Sequence, residues 1–148
     1  MDISPITDYL YVGAQPEARH AAQLRAMGVR LIINMRAESR PPAAFAEPPL
    51  RVLWLRTYDI FLLPIPIHLL LEGVRAALPV IEGGGRVLAH CHKGRHRSVA
   101  MAAAILIAKG YTADEATRLL RDRRALAHPD AWHIRRQIKK FEERWGGT

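Results

Sequence analysis

The sequence predicts an α/β fold: a central, mainly parallel sheet of four to five strands, with helices on both faces. Two observations predict it. Short β-branched apolar runs alternate along the chain with longer segments of helical periodicity, the pattern of parallel sheets joined by helical crossovers. The runs "RLIINM" (30–35) and "RVLAH" (86–90) are also almost continuously apolar, as strands covered on both faces are.

Tyr9–Val12 reads as a first short strand. Pro16 suits the opening turn of a helix whose apolar edge is Leu24 and Met27, and Gly28 stops it. The strand 30–35 follows, then a proline-marked loop, "RAESRPPAAFAEPP" (36–49), and a strand "LRVLWL" (50–55). Ile67, Leu70, Leu71, Val74, Leu78 and Ile81 fall on one helical stripe, with Pro79 expected to disturb the last turn and Gly83–Gly85 to end it. After the strand 86–90, Val99–Ala108 is apolar all round, which predicts a buried helix. Thr112 and Glu115 form a capping box for a helix to about Leu126, and a last helix is expected from about Pro129 to Trp145. No repeat, low-complexity stretch or linker interrupts the chain, so residues 1–148 are expected to form one domain.

Composition bounds the function. The chain has 148 residues, 49% apolar and 24% charged, the balance of a globular protein with a real core. Its start, "MDISPITDYLYVG", lacks the basic and apolar regions of a signal peptide. The longest apolar run, around Ile60–Leu71, contains two prolines and a histidine and is not a membrane span. A single cysteine cannot close an internal disulfide, so a reducing cytoplasm is the expected location. The net charge of +8 suits an acidic or phosphorylated partner. The densest basic groups, "RLLRDRR" (118–124) and "RRQIKK" (135–140), alternate with apolar residues and read as solvated helix faces. Without an aromatic-interleaved basic stripe or a recognition helix, nucleic acid is not the expected ligand.

That single cysteine, Cys91, stands in "VLAHCHKGRHRS" (87–98), at the carboxyl end of a central strand and just before the buried helix. Ligands of open α/β sheets bind at such strand ends. A helix N-terminus offers free N–H groups and partial positive charge to a phosphate. Gly94 lets the backbone curl into an anion nest, and Arg97 can grip two phosphate oxygens as a planar fork. His92, Lys93, Gly94, Arg95, His96 and Arg97 are therefore the expected phosphate cradle. The same surroundings favour a thiolate, making Cys91 a nucleophile for in-line attack on phosphorus. Ser98 can donate a hydrogen bond to the sulfur, and His90 is expected to orient the loop without moving a proton. As zinc ligands, His90, Cys91, His92 and His96 lack the paired spacing of structural sites, and Arg95 and Arg97 repel a cation, so no metal or other cofactor is expected. A buried inert thiol would leave Gly94, Arg97 and Ser98 unexplained.

The pattern H-C-x5-R-[ST], with Gly three after Cys, resembles the signature of cysteine-dependent protein tyrosine phosphatases. "ISPITDYLYVGAQPEA" and "LRAMGVRLIINMRAE" look like the opening of their compact dual-specificity branch. The resemblance implies that branch's fold, hydrolysis of phosphate monoesters through a cysteinyl-phosphate, and a general-acid Asp on a loop upstream of the cysteine. Asp59, 32 residues before Cys91 and alone among acids between Glu47 and Glu72, matches that position. The apolar "IFLLPIP" after it is expected to pack into the core, or else to close over substrate. Asn34 either braces the cysteine loop, as in that branch, or closes a strand-end turn. The implied substrate is a protein carrying phosphotyrosine, with phosphoserine or phosphothreonine as further possibilities. The cationic variable positions also resemble those of phosphoinositide and inositol-pyrophosphate phosphatases. There "GRHRS" is similar to "GKHRT", with Arg for Lys and Ser for Thr.

Overall fold

The computed structural model describes residues 1–147. Five strands, β1 (Ile3–Thr7), β2 (Leu10–Ala14), β3 (Val29–Arg36), β4 (Arg51–Thr57) and β5 (Arg86–Cys91), form one sheet in the order β1-β2-β5-β3-β4. β1 runs antiparallel to β2, and the β2–β5, β5–β3 and β3–β4 pairs are parallel. The helices are α1 (Ala21–Ala26), α2 (Ile67–Glu82), α3 (Arg97–Ala108), α4 (Ala113–Arg123) and α5 (Trp132–Gly146). No helix among the described residues is long and apolar enough to cross a membrane.

The continuous apolar strands feed two cores because successive side chains point to opposite faces. Leu31, Ile33 and Met35 of β3, with Val87, Ala89 and Cys91 of β5, belong to the large core under α2–α5. Ile32 and Leu88 belong to the small core with α1, Phe45 and Leu50, and Val29 joins them through an irregularity in the register between Val29 and Leu31. This alternation turns Cys91 toward the α3 side of the sheet. Helix α3 packs on β5 between α2, α4 and α5, and its residues Val99 to Leu106 are all buried. An all-apolar helix fits there because every side of it is covered.

Several boundaries differ from the sequence reading. β1 was not expected: Pro5 and the polar residues around it weaken strand propensity, yet an edge strand tolerates proline, and Pro5 pairs with Tyr11. Pro16 does not open a helix; a 3-10 turn at Ala18–His20 intervenes before α1. α4 ends at Arg123 instead of Leu126, because Arg124 turns to extended backbone (φ −138°) and buries its side chain. α5 starts at Trp132, after Pro129. "IFLLPIP" does not pack into the core: Ile60, Phe61, Leu62 and Leu63 are exposed, Leu62 at 73%, and of this run Ile65 is buried.

The capping box at α4 is formed. Thr112 Oγ1 accepts from the Glu115 amide at 3.1 Å, and Glu115 Oε1 accepts from the Thr112 amide at 2.9 Å. Thr112→Ala removes one half of it and is expected to cost about 1 kcal/mol in denaturant unfolding. An unchanged midpoint would show that the cap carries no stability.

Candidate active site

Strand β5 delivers Cys91 at its carboxyl end, and residues 92–96 turn the chain into α3. The carbonyls of this turn are tied down one after another from outside. His92 O accepts from the Gln15 amide at 3.4 Å, and Arg95 O from the His128 amide at 2.9 Å. Lys93 O and Gly94 O accept from Arg124 Nη2 and Nε, each at 2.9 Å. His96 O enters the helix by accepting from the Ala100 amide at 2.9 Å. In a trans peptide the C=O of one residue and the N–H of the next point opposite ways. The amides of residues 93–97 therefore face away from these tethers. The same turn borders a cavity of about 290 Å³ lined by Asp59, Cys91, His92, Lys93, Arg95, His96 and Arg97.

Gly94 lies behind this cradle, at φ +69°. A Cβ there would stand 2.6 Å from both Arg124 Nη2 and the carbonyl carbon of Gly13. Glycine is thus required by conformation and by space.

Arg97 is 3% exposed and is held from behind. Nη1 donates to the Met35 and Thr57 carbonyls at 3.2 and 3.0 Å, and both Nη atoms bond Glu38, at 2.9 and 3.1 Å. A guanidinium has five N–H donors. End-on pairing with Glu38 uses one from each Nη, and the carbonyls use the other of Nη1. Nε–H and the outer Nη2–H remain, parallel and spaced for two oxygens of one phosphate. Nε is buried without a hydrogen-bond partner among the described residues, so it is free to donate to a bound ligand or water. Bonding to Arg97, and secondarily to its own amide and Arg36, holds the Glu38 carboxyl down to about 2 despite partial burial. Glu38 thus stays charged at any physiological pH.

Cys91 Sγ lies 3.2 Å from Ser98 Oγ in the first turn of α3; both residues are buried, and Cys91 lines the cavity. Burial pushes the His90 ring down to about 4, with Arg36 and Arg97 pushing the same way against its bond to Cys91 O. The ring is neutral near pH 7. Its Nδ1 lies 3.3 Å from that oxygen, beside the loop's first residue. Asp59, on the loop after β4, reaches the cavity, with both carboxylate oxygens 3.1 Å from His96 Nδ1. Of the two roles open to Asn34, the structure shows the turn: it bonds the Ser39 carbonyl and the Arg36 amide after β3, and not the cysteine loop.

Two residues escaped the sequence reading. Glu38 sits in the proline-marked loop, and no local pattern singles it out. Arg124 belongs to the run read as a solvated face, but it is 2% exposed and also binds Asp2 and Ser4, at 3.0 Å each from Nη1.

The family model "Dual specificity phosphatase, catalytic domain" matches residues 10–144. The chain belongs to the dual-specificity phosphatase family. "Dual specificity protein phosphatase 1B" of Arabidopsis thaliana is 27% identical over 145 residues, covering 96% of this chain and 83% of the relative. "Dual specificity phosphatase 28" of Homo sapiens is 30% identical over 138 residues, covering 90% and 74%. The crystal structure of human DUSP28 superposes with a TM-score of 0.84 at 25% identity, covering 99% of this chain and 96% of that one. That of PTPMT1 in complex with PI(5)P has a TM-score of 0.85 at 24% identity, covering 98% and 97%. As a member of this family, the protein is a cysteine-dependent phosphatase.

Two outcomes test the site's construction. Arg124→Ala leaves two loop carbonyls and Asp2 without their donor, and is expected to destabilise by about 2–4 kcal/mol and to lower turnover. Arg121→Ala, on the exposed side of α4, should change neither; equal effects would remove Arg124 from the cradle. His90 binds its proton near pH 4 when folded and near 6.5 when unfolded. The unfolded state therefore takes up more protons between these values, and stability falls as pH drops through them, by up to about 1.4 kcal/mol per pH unit. His90→Asn should flatten that slope in unfolding curves, and a slope identical to wild type would sink the assignment.

Proposed function

We propose that this phosphatase acts on phosphotyrosine, and on phosphoserine or phosphothreonine, in protein substrates, with Cys91 as nucleophile. The observation that carries the reading is that Cys91, Arg97, Asp59 and the cationic loop residues line one cavity together. The thiolate attacks phosphorus in line, forming the S–P bond as the ester P–O bond breaks. The amides of 93–97 and the Nε–Nη2 edge of Arg97 hold the equatorial oxygens, where charge concentrates in the transition state. Asp59, held across the cavity by His96, protonates the leaving oxygen. As carboxylate it then takes a proton from the water that attacks the cysteinyl-phosphate. The S–P bond breaks, and the Ser98 hydroxyl donates to the departing sulfur. His92, Lys93, Arg95 and His96 set the potential at the cavity rim. The unprotected thiol suits a reducing compartment, in keeping with the cytoplasmic expectation.

Protein substrates are favoured by the relative named a protein phosphatase, and by the exposed Tyr58 and Ile60–Leu63 beside Asp59, a surface for the residues flanking a phosphotyrosine. A second reading, a phosphoinositide or inositol phosphate, is supported by the cationic lining of the cavity and by the PTPMT1 neighbour solved with PI(5)P.

A panel of phosphotyrosine peptide, phosphothreonine peptide, phosphoinositide and inositol pyrophosphate, assayed with EDTA, separates them. Highest kcat/KM on the phosphotyrosine peptide is expected; preference for an inositol phosphate would replace the first reading by the second. Cys91→Ser should lose roughly a thousand-fold or more in kcat. Asp59→Asn should lose roughly 100-fold on phosphotyrosine, and much less on an ester with a good leaving group. An Asp59→Asn enzyme as fast as wild type on every ester would take that residue out of the mechanism.

A further inference from the structure

The four residues first considered as metal ligands do not come together, since His90 is buried beside the Cys91 carbonyl. A different set does. Asp59 from the loop after β4, His96 at the mouth of α3 and His133 in the first turn of α5 each present one ligand atom, all within 4.8 Å of one another. We propose that Asp59, His96 and His133 form a zinc(II) site at the cavity mouth, and that occupying it inhibits the enzyme.

The geometry fits the ion. Zinc bonds of about 2.0–2.1 Å in a tetrahedron set neighbouring ligand atoms about 3.3 Å apart. His96 Nδ1 lies 3.1 Å from the Asp59 oxygens, His133 Nε2 lies 3.8 Å from Oδ1, and all three ligand atoms lie within 4.8 Å of one another, so the spacings to the carboxylate bracket that value. The two imidazoles close on the ion by side-chain movement of up to about 1.5 Å, the difference between 4.8 Å and the tetrahedral spacing, and the fourth position stays open to water. Two imidazoles and a carboxylate suit zinc and not magnesium or calcium, which take oxygen ligands.

The surroundings also prepare His96 for the ion. Ligation through Nδ1 requires the ring's proton on Nε2, and Nε2 lies 3.4 Å from His128 Nδ1. With the His128 proton on its own Nε2, that ring nitrogen can accept the His96 proton, an arrangement that orients metal-bound imidazoles. His128 is itself fixed through its amide to Arg95 O. Lys93, Arg95 and Arg97 line the adjoining cavity and oppose a dication, while Asp59 offsets one charge. The site is therefore a reversible regulatory one and not a structural one.

Binding does not depend on the phosphatase chemistry. Inhibition rests on the reading of Asp59 as proton donor, because a carboxylate bound to zinc cannot protonate a leaving group. Calorimetric titration of the whole protein with zinc chloride, without substrate, separates the two. One ion per chain is expected. Cys91→Ser should bind within about twofold of wild type, and His133→Ala should bind at least about tenfold more weakly, no less than the loss of an outer-shell partner. Cobalt(II) added to wild type should give the absorption of a tetrahedral site without a thiolate charge-transfer band, a readout that needs no variant to fold. Loss of binding in Cys91→Ser, wild-type affinity in His133→Ala, or a thiolate band would overturn the site. In activity assays the half-inhibiting zinc concentration should follow the affinity. Zinc bound as described with turnover unchanged would overturn the inhibition and, with it, the assigned role of Asp59.

Discussion

The active-site loop depends on one buried guanidinium. Arg124 holds the carbonyls of Lys93 and Gly94, and the planar peptide converts that outward pull into inward amides. A loop of free amides is otherwise costly, because each N–H gives up water without gaining a partner. The tethers hold the carbonyls outward and so fix the loop in one form. Gly94 makes the arrangement possible, since any side chain there would meet Arg124 and the Gly13 backbone. Arg124 in turn is tied to Asp2 and Ser4. The edge hairpin of β1 and β2 is thereby joined to the cysteine loop: Gln15, just past β2, holds His92 O, and Gly13 backs Gly94.

The second constraint is the handling of charge. Arg97 is almost wholly buried and could not stay there unpaired. Glu38 balances it from the far side, and the Met35 and Thr57 carbonyls fill the remaining Nη1 donor. These contacts fix the orientation of the side chain, so an anion bound at Nε and Nη2 would cost it little freedom. His90 adds no charge at neutral pH. The charges that face the cavity thus come from the loop itself, from Arg97 and from Asp59.

Much of the site was legible because its central parts are local. Cys91, Gly94, Arg97 and Ser98 act through a turn and the first residues of a helix, so their spacing along the chain is their spacing in space. The sheet was legible too, since two-sided burial demands continuous apolar strands and α3 demands an apolar surface all round. Asp59 needed the family resemblance, because its distance from Cys91 is bridged by the fold alone. Glu38 and Arg124 were not legible: an Arg that braces a loop and an Arg that faces water look alike in a charged run. The apolar segment after Asp59 misled for a related reason. Hydrophobicity favours burial but does not guarantee it: Ile60–Leu63 stay exposed, and Ile65 is the residue of this stretch that joins the core.

By itself the sequence determined the α/β class, the two-faced strands, the buried helix and the thiol-to-arginine loop at a strand end, because each follows from neighbours a few residues apart. Tertiary structure alone decided which cation is buried and which solvated, which carboxylate pairs with Arg97, and which histidines meet Asp59. Those choices join residues from distant parts of the chain. They are set by how the helices pack on the sheet, a geometry that no short stretch of residues encodes.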